Sequence, residues 1–275
     1  MLSVGNLDYK KLQKKDNKLK TFSNDKDLLE KILNLRLNLN LNPNLAPKLN
    51  YNISPIIFQT WNSKKIPINM FNAISKIRIL NPELNYYLFD DNDCRNFIQR
   101  NFDKDVLFAY DNLIPGAYKA DLWRYCILYK YGGIYIDIKF IPYDGFKLVN
   151  LLNKEHWVID RDKKGIYNAF MVCKKNNQIL SLAINQIVEN VKNKYYGESP
   201  LSPTGPKLLI KYFTDEEKIN IDMTHTTNGN NSDNKFINYN ERPILCGYKN
   251  YFNERDSFSV TEHYYKMWHD RNIYK

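Results

Sequence analysis

Residues 119–139 read KADLWRYCILYKYGGIYIDIK, and the fold is inferred outward from this stretch. Apolar residues such as Leu122 and Cys126 recur at helical spacing, which predicts a helix over Ala117–Tyr131 with one face on a core. The glycine pair at 132–133 ends this helix, because glycine readily adopts the left-handed conformation that follows many helices. The stretch therefore begins with a helix that ends in a glycine turn.

A short strand follows the glycine turn. Ile134–Ile138 is rich in β-branched residues, and Asp137 lies where this strand ends. Upstream, Pro55–Trp61 and Tyr86–Phe89 are further strand candidates, and Pro67–Leu80 between them has apolar residues at helical spacing. The alternation predicts an α/β fold, with a mostly parallel central sheet flanked by helices. Because ligands bind at the carboxyl ends of such strands, Asp137 is a candidate site residue.

The rest of the chain extends this pattern. Trp157–Ile159 and Phe170–Val172 are predicted strands, and Gln178–Lys194 is a predicted helix. Residues 1–50 are charged or alternate Leu with Asn, and are predicted to form an N-terminal arm or linker, partly helical or disordered. We therefore expect one catalytic domain over residues 51–275.

The composition limits the classes of function. Of the 275 residues, 43% are hydrophobic and 25% are charged, as in a globular protein with a real core. The net charge of +10 is spread along the chain without a long basic run, so no nucleic-acid partner is expected. The positive charge would instead help to attract a substrate that carries a diphosphate.

The cysteines and the hydropathy bear on the compartment. Cys94, Cys126, Cys173 and Cys246 lie far apart without a C-x-x-C pair, so neither a zinc site nor a disulfide framework is indicated. Reduced thiols fit the cytoplasm or a host-cell cytosol-like compartment. The sequence has no signal-peptide core and no stretch near the roughly 18 apolar residues of a transmembrane segment. This predicts a soluble protein, or a chain separated from its anchor.

Two opposite charges lie near the start of the predicted helix. Asp121 and Arg124 are three residues apart and so share one helix face. Taken alone, the spacing favours an exposed ion pair of little energetic value. The surrounding sequence favours a site instead.

The sequence around Asp121 and Arg124 resembles that of the DXD-motif sugar transferases of glycosyltransferase family 32 and, more distantly, that of the glucosylating clostridial toxins. The family pattern reads Ala/Ser-Asp-x-x-Arg-Tyr-x-x-Leu-x-x-x-Gly-Gly-x-Tyr-x-Asp. This chain matches it at Asp121, Arg124, Tyr125, Leu128, Gly132, Gly133, Tyr135 and Asp137. Further similar positions are Ile57–Trp61, Asn81, Pro82, Asn168, Thr204–Pro206 and His263–Trp268.

The resemblance implies a GT-A-like fold and a hexosyltransferase. The implied donor is a UDP- or GDP-sugar, the implied acceptor is a glycan or a protein- or lipid-linked hydroxyl, and the implied stereochemistry is retaining. Catalytic roles follow by analogy for Asp121, Arg124 and Asp137. Asp121 should hold sugar hydroxyls, and Asp137 should meet the ribose or a divalent metal. The planar fork of an arginine suits sugar or phosphate oxygens, which agrees with a role for Arg124.

The same resemblance suggests residues that bind the donor. They are Trp61, Gln59, Tyr125, Gly133, Lys139, Asn168 and Trp268. Trp61 can stack on the nucleotide base, but it can equally be a residue of the core. Asn168 and Thr204–Pro206 can also be explained by turn chemistry alone.

The metal-binding part of the motif departs from the family pattern. The usual Asp-x-Asp reads Asp137-Ile138-Lys139, so the second carboxylate, normally the direct metal ligand, is missing. One hypothesis is that Asp137 and His263 still bind Mn²⁺ or Mg²⁺. The competing hypothesis is that Lys139 neutralises the diphosphate as a point charge. His263 can also be an ordinary surface residue.

Two functions therefore remain open. The first is a glycosyltransferase. The second is a non-catalytic protein that binds nucleotide sugars or glycans through a degenerate DXD motif, in which Lys139 marks lost chemistry.

Overall fold

The computed structural model describes residues 51–227, 235–258 and 262–275. The predicted arm over residues 1–50 lies outside the described residues, so the domain boundary after residue 50 stays a prediction.

At the start of the described chain, the strands are separated by one or more helices. The first elements are β1 (Ile56–Thr60), α1 (Ile68–Leu80), β2 (Asn85–Phe89), α2 (Asp91–Asn101), α3 (Lys104–Asn112), α4 (Gly116–Tyr131) and β3 (Gly133–Ile136). They are followed by β4 (Phe140–Pro142), β5 (Val158–Ile159), β6 (Phe170–Cys173), α5 (Gln178–Lys192), α6 (Pro206–Leu209), α7 (Asp215–Ile219) and β7 (Met223–Thr227). The last elements are β8 (Lys235–Tyr239), β9 (Arg242–Gly247), α8 (Tyr251–Phe258) and α9 (Tyr264–His269).

The first sheet has four strands in the order β2-β1-β3-β6. Strand β1 pairs in parallel with β2 and β3, and β6 runs antiparallel to β3. Every residue of β3 and β6 is buried, although β6 is the last strand of this sheet, so both strands are covered on both faces. The predicted α/β fold with a mostly parallel central sheet is confirmed.

A second sheet of five strands, in the order β4-β9-β8-β7-β5, is absent from the sequence prediction. Its pairs are antiparallel except for β5 with β7. It joins distant residues, such as Phe140 and Gly247, so local periodicity does not reveal it. The β8–β9 hairpin turns at Asn240 and Glu241, whose φ angles are 46° and 65°. Because such turns usually contain glycine, this hairpin carries no clear sequence signal.

Helix α4 is the centre of the first half of the fold. Every residue from Asp121 to Leu128 is buried, and the helix packs against α2, α3, α5 and β3. Asp121 and Arg124 are only 8% and 6% exposed. The interpretation of these two residues as an exposed ion pair is therefore wrong.

The glycine turn joins α4 to β3, as predicted. Gly132 and Gly133 have φ angles of 64° and 111°. A Cβ atom at Gly132 would lie 2.7 Å from the Lys175 backbone nitrogen, and one at Gly133 would lie 2.8 Å from the Ile56 carbonyl oxygen. Both positions therefore require glycine.

The structure also bears on the predictions about cysteines and hydropathy. All four cysteines are free thiols, and three of them are buried. Within the described residues, no helix combines the length and the apolar character that a membrane crossing requires.

Candidate active site

A cleft of about 350 Å³ opens at the carboxyl ends of β1 and β3, where a parallel sheet is expected to bind ligands. Its walls come from residues after these strands, from the start of α4, from β8 and α8, and from the segment that leads into α9. The charged and aromatic lining residues are Trp61, Asp91, Lys119, Arg124, Tyr135, Asp137, Lys139, Lys235, Tyr251, Phe252, Arg255, Glu262, His263 and Tyr264.

Asp137 directly follows β3 and is fixed in the cleft wall. Its backbone N–H donates to the Ala169 carbonyl oxygen at 2.7 Å. Its Oδ1 accepts a hydrogen bond from the Tyr135 hydroxyl at 2.8 Å, and its Oδ2 accepts one from the Lys139 ammonium at 2.6 Å. Burial raises the pKa of Asp137, but Lys139 and Arg124 outweigh burial and lower that pKa below its ordinary value. The carboxylate is therefore charged at neutral pH.

Arg124 reaches from α4 to the same carboxylate. Its Nη1 lies 3.3 Å from Asp137 Oδ1 and donates to the Asn168 carbonyl oxygen at 2.8 Å. Its Nε donates to the Ala120 carbonyl oxygen at 3.1 Å. The guanidinium carbon lies 4.4 Å from the centroid of the Tyr135 ring. Stacking and hydrogen bonds thus hold the arginine fork in one orientation at the cleft.

Asp121 lies beside Arg124 in a buried hydrogen-bond network and does not line the cleft. Its Oδ1 accepts from Asn168 Nδ2 at 2.8 Å, and its Oδ2 accepts from Thr204 Oγ1 at 2.8 Å. The Tyr125 hydroxyl accepts from Asn168 and donates to the Thr204 carbonyl oxygen. Burial raises the pKa of Asp121 above its ordinary value, although Arg124 and these hydrogen bonds lower it. The structure therefore brings together Asp121, Arg124, Tyr125 and Asn168, which the sequence predicted as site residues.

Lys139 carries a positive charge into the cleft beside Asp137. Its Nζ lies 5.3 Å from the ring centroids of both Phe140 and Tyr167. Burial lowers the pKa of Lys139, but Asp137 and neighbouring tyrosines raise it above its ordinary value. The ammonium is therefore charged at neutral pH.

Two further cations, Lys235 of β8 and Arg255 of α8, line the same cleft. Burial is the largest effect on Lys235, and together with Lys139 and Arg255 it lowers the pKa of Lys235 to about 8. The Phe252 ring lies 5.2 Å from Lys235 Nζ and 4.9 Å from the Arg255 guanidinium carbon. Sequence reasoning missed both residues, because β8 and α8 carry no motif and reach the cleft through long-range packing.

Trp61 lies between the cleft and an apolar cluster of the core. It lines the cleft at the end of β1, yet it is only 9% exposed. It packs in an apolar cluster with Met70, Ile74 and Tyr248. Core packing is therefore observed, and stacking on a nucleotide base stays a prediction.

Five residues predicted to bind the donor do not line the cleft: Tyr125 and Asn168 of the buried network, and Gln59, Gly133 and Trp268. Gln59 is fully buried, and its Oε1 accepts from the Tyr86 hydroxyl at 2.7 Å. Gly133 belongs to the glycine turn. The Trp268 Nε1 donates to the Tyr196 carbonyl oxygen at 2.8 Å. The polar groups of Gln59 and Trp268 therefore have partners within the protein, and Gly133 is packed closely against the backbone of Ile56.

His263 lines the cleft as the N-cap of α9, where its Nδ1 accepts from the Tyr265 N–H at 3.4 Å. Burial, helped by Arg255, lowers the pKa of His263. Within the ranges that the structure describes, no three His, Cys, Asp or Glu side chains converge on a common position for a metal. Asp137 and His263 therefore do not fit a resident divalent cation.

Residues 67–158 match the model of a family described as the glycosyltransferase sugar-binding region containing a DXD motif. This range includes α4, β3 and the cluster of Asp121, Arg124 and Asp137. Over this range the chain is therefore similar to the sugar-binding region of this glycosyltransferase family. The predicted family resemblance and enzyme class are confirmed.

Curated relatives include the inositol phosphoceramide mannosyltransferases 2 and 3 of Schizosaccharomyces pombe. The chain is 33% identical to the first over 171 residues, which are 60% of this chain and 47% of that relative. It is 32% identical to the second over 158 residues, which are 57% of this chain and 44% of that relative. The chain thus spans less than half the length of these relatives. Among solved structures, the PaToxG glycosyltransferase has a TM-score of 0.45 at 18% identity, with 58% of this chain and 67% of that chain covered.

Proposed function

We propose that this chain transfers a hexose from a UDP- or GDP-sugar to a hydroxyl of a glycan or of a protein- or lipid-linked acceptor, with retention at the anomeric carbon. The convergence of Arg124, Asp137 and Lys139 on one cleft, within the matched sugar-binding region, carries the proposal. Five cationic side chains of Lys and Arg line that cleft against three carboxylates. This excess of positive charge favours a ligand with a diphosphate.

The residues suit the chemistry of glycosyl transfer. When the bond between C1 and the diphosphate oxygen breaks, its electron pair stays on that oxygen and positive charge develops on the sugar ring. The acceptor oxygen forms the new bond to C1, and its proton passes to the departing phosphate oxygen or to solvent. Arg124 can donate to sugar or phosphate oxygens from its fixed orientation. Asp137 can accept from ribose hydroxyls, since its carboxylate stays charged.

Asp121 supports this arrangement through Arg124 and Asn168. Its predicted contact with sugar hydroxyls belongs to the proposal. So does the stacking of Trp61 on the nucleotide base, for which its place in the cleft wall is the support.

The curated relatives guide the choice of substrates. They are named as mannosyltransferases acting on inositol phosphoceramide, so mannose is the first hexose to test and a lipid-linked head group is the first acceptor. We also propose a cytosol-like compartment for the reaction, which the four free thiols support.

A non-catalytic protein that binds nucleotide sugars is the second candidate. Lys139 favours it, because the family pattern has a metal-binding carboxylate at this position. Such a protein would bind donors without turning them over.

Release of nucleotide from a panel of UDP- and GDP-sugars, with and without Mn²⁺, tests the proposal. We expect wild type to hydrolyse at least one donor and Asp137→Asn to lose this activity, because the variant keeps the shape but removes the charge. Asp215→Asn is the matched control, since the Asp215 side chain is 95% exposed on α7. Donor binding without turnover, for every acceptor tested, would establish the non-catalytic alternative.

A further inference from the structure

Position 139 places a cation where the family pattern has its second carboxylate. The Lys139 Nζ lies 2.6 Å from Asp137 Oδ2, and the Lys139 side chain is 14% exposed at the cleft. The other carboxylate oxygen accepts the hydrogen bond of Tyr135. Both oxygens of Asp137 therefore accept hydrogen bonds from protein side chains, and one of these donors is the ammonium at position 139.

Lys235 and Arg255 add positive charge to the same cleft from a different part of the chain. Arg255 is paired with Asp256, with 2.7 Å between Nη2 and Oδ1. Lys235 contacts the Phe252 ring and makes no salt bridge with any residue that the structure describes. A partly buried ammonium without a carboxylate partner is unfavourable on its own, so an anion in the cleft would stabilise it.

We propose that Lys139, Lys235 and Arg255 together bind the diphosphate of the donor and neutralise the leaving nucleoside diphosphate in place of a divalent cation. This inference rests on the proposed function and assigns one part of its cleft. Lysine and arginine form strong charge-assisted hydrogen bonds with phosphate oxygens. Cations that are already in position stabilise developing negative charge without reorganisation. The electron pair left by the broken bond to C1 would then be stabilised by these three side chains.

Inorganic pyrophosphate is the probe, because it carries the diphosphate without the base or the sugar. Calorimetry should show that wild type binds it in EDTA at least as tightly as in Mn²⁺, since free metal competes for the probe. Lys139→Gln and Lys235→Gln should each weaken binding in EDTA by about tenfold, as expected for the loss of one charge-assisted contact. Lys139→Arg keeps the charge and should stay within about threefold of wild type.

Lys175→Gln is the matched control for these variants. Lys175 is exposed and follows β6, whose last residue pairs with the first residue of β3, at the opposite end of the sheet from the cleft. Its binding of pyrophosphate should equal that of wild type. Binding that requires Mn²⁺, no binding in either buffer, or binding unchanged in both glutamine variants would overturn the inference.

Lys139→Asp tests the inference in the other direction, because it restores the Asp-x-Asp sequence. We expect this variant to lose pyrophosphate binding in EDTA and to recover it with Mn²⁺, with thermal melting showing that it is folded. Pyrophosphate binding in EDTA without hydrolysis of any donor sugar would defeat the proposed function alone. Hydrolysis by wild type that stops in EDTA would defeat the inference alone.

Discussion

Asp121 and Asp137 flank the same arginine in surroundings of different kinds. Arg124 Nη2 lies 3.5 Å from Asp121, and Nη1 lies 3.3 Å from Asp137. Asp121 otherwise contacts the neutral side chains of Thr204 and Asn168, and burial raises its pKa. Asp137 is only partly buried, with its side chain 20% exposed, and adjacent cations lower its pKa. The comparison indicates that Asp121 holds Arg124 in place, while Asp137 keeps a negative charge at the cleft.

The comparison predicts the largest loss of activity when the charge at the cleft is removed. Asp137→Asn should lower kcat/KM for donor hydrolysis by about 100-fold or more, as for the loss of a preorganised electrostatic group. Initial rates measure this effect, and Asp215→Asn serves as the control. A loss of less than about threefold would remove Asp137 from the catalytic machinery.

Arg124→Lys tests the residue that both carboxylates share. A lysine cannot reproduce the fork that bonds the Ala120 and Asn168 carbonyl oxygens. We expect kcat/KM to fall by about 30-fold and the free energy of unfolding to fall by about 2 kcal/mol. Rates and urea unfolding measure the two effects. Lower stability with full activity would leave Arg124 a purely structural role.

The pH dependence of nucleotide binding tests the role of Lys235 in the cleft. Burial, Lys139 and Arg255 lower the pKa of Lys235 to about 8, against the opposing effects of Asp137 and Asp160. Its charge is therefore present below that pH and is lost as the pH rises through it. Binding of UDP or GDP should weaken by about tenfold between about pH 7 and about pH 9, as expected for one lost charge.

Lys235→Arg is the control for this profile, because arginine stays charged over the whole range. Calorimetry on this variant should show little dependence on pH. An unchanged slope would assign the titration to another group.

The smallest effect on activity is expected from the buried network around Asp121. Thr204→Val removes the hydrogen bond to Asp121 Oδ2 and should lower the free energy of unfolding by about 1 to 2 kcal/mol. The value of kcat/KM should stay within about threefold of wild type. Chemical denaturation and rates measure both. A large loss of activity at unchanged stability would contradict the assigned difference between the two carboxylates.

The parallel sheet could be predicted because its signals are local. Helix α4, the glycine turn and β3 follow one another within residues 116–136, and each has its own periodicity or punctuation. The second sheet could not be predicted in the same way. Strand β4 has three residues, and its partner β9 lies about a hundred residues further along the chain.

The same difference between local and long-range signals explains which residues of the site could be predicted. Asp121, Arg124 and Asp137 belong to one segment, so their motif revealed them together. Lys235 and Arg255 come from elements that only tertiary packing brings to the cleft. Motif similarity also suggested that Gln59 contacts the donor. In the structure its side-chain amide is buried and donates to the Ile136 carbonyl oxygen.

The glycine turn also restricts how many residues can connect α4 to β3. Neither Gly132 nor Gly133 leaves room for a side chain, so the turn cannot absorb an extra residue without displacing its neighbours. Because side chains alternate between the two faces of a strand, one residue inserted after Gly133 would turn Asp137 away from Arg124. A homologous chain with a longer turn would therefore have lost the site even if every motif residue were retained.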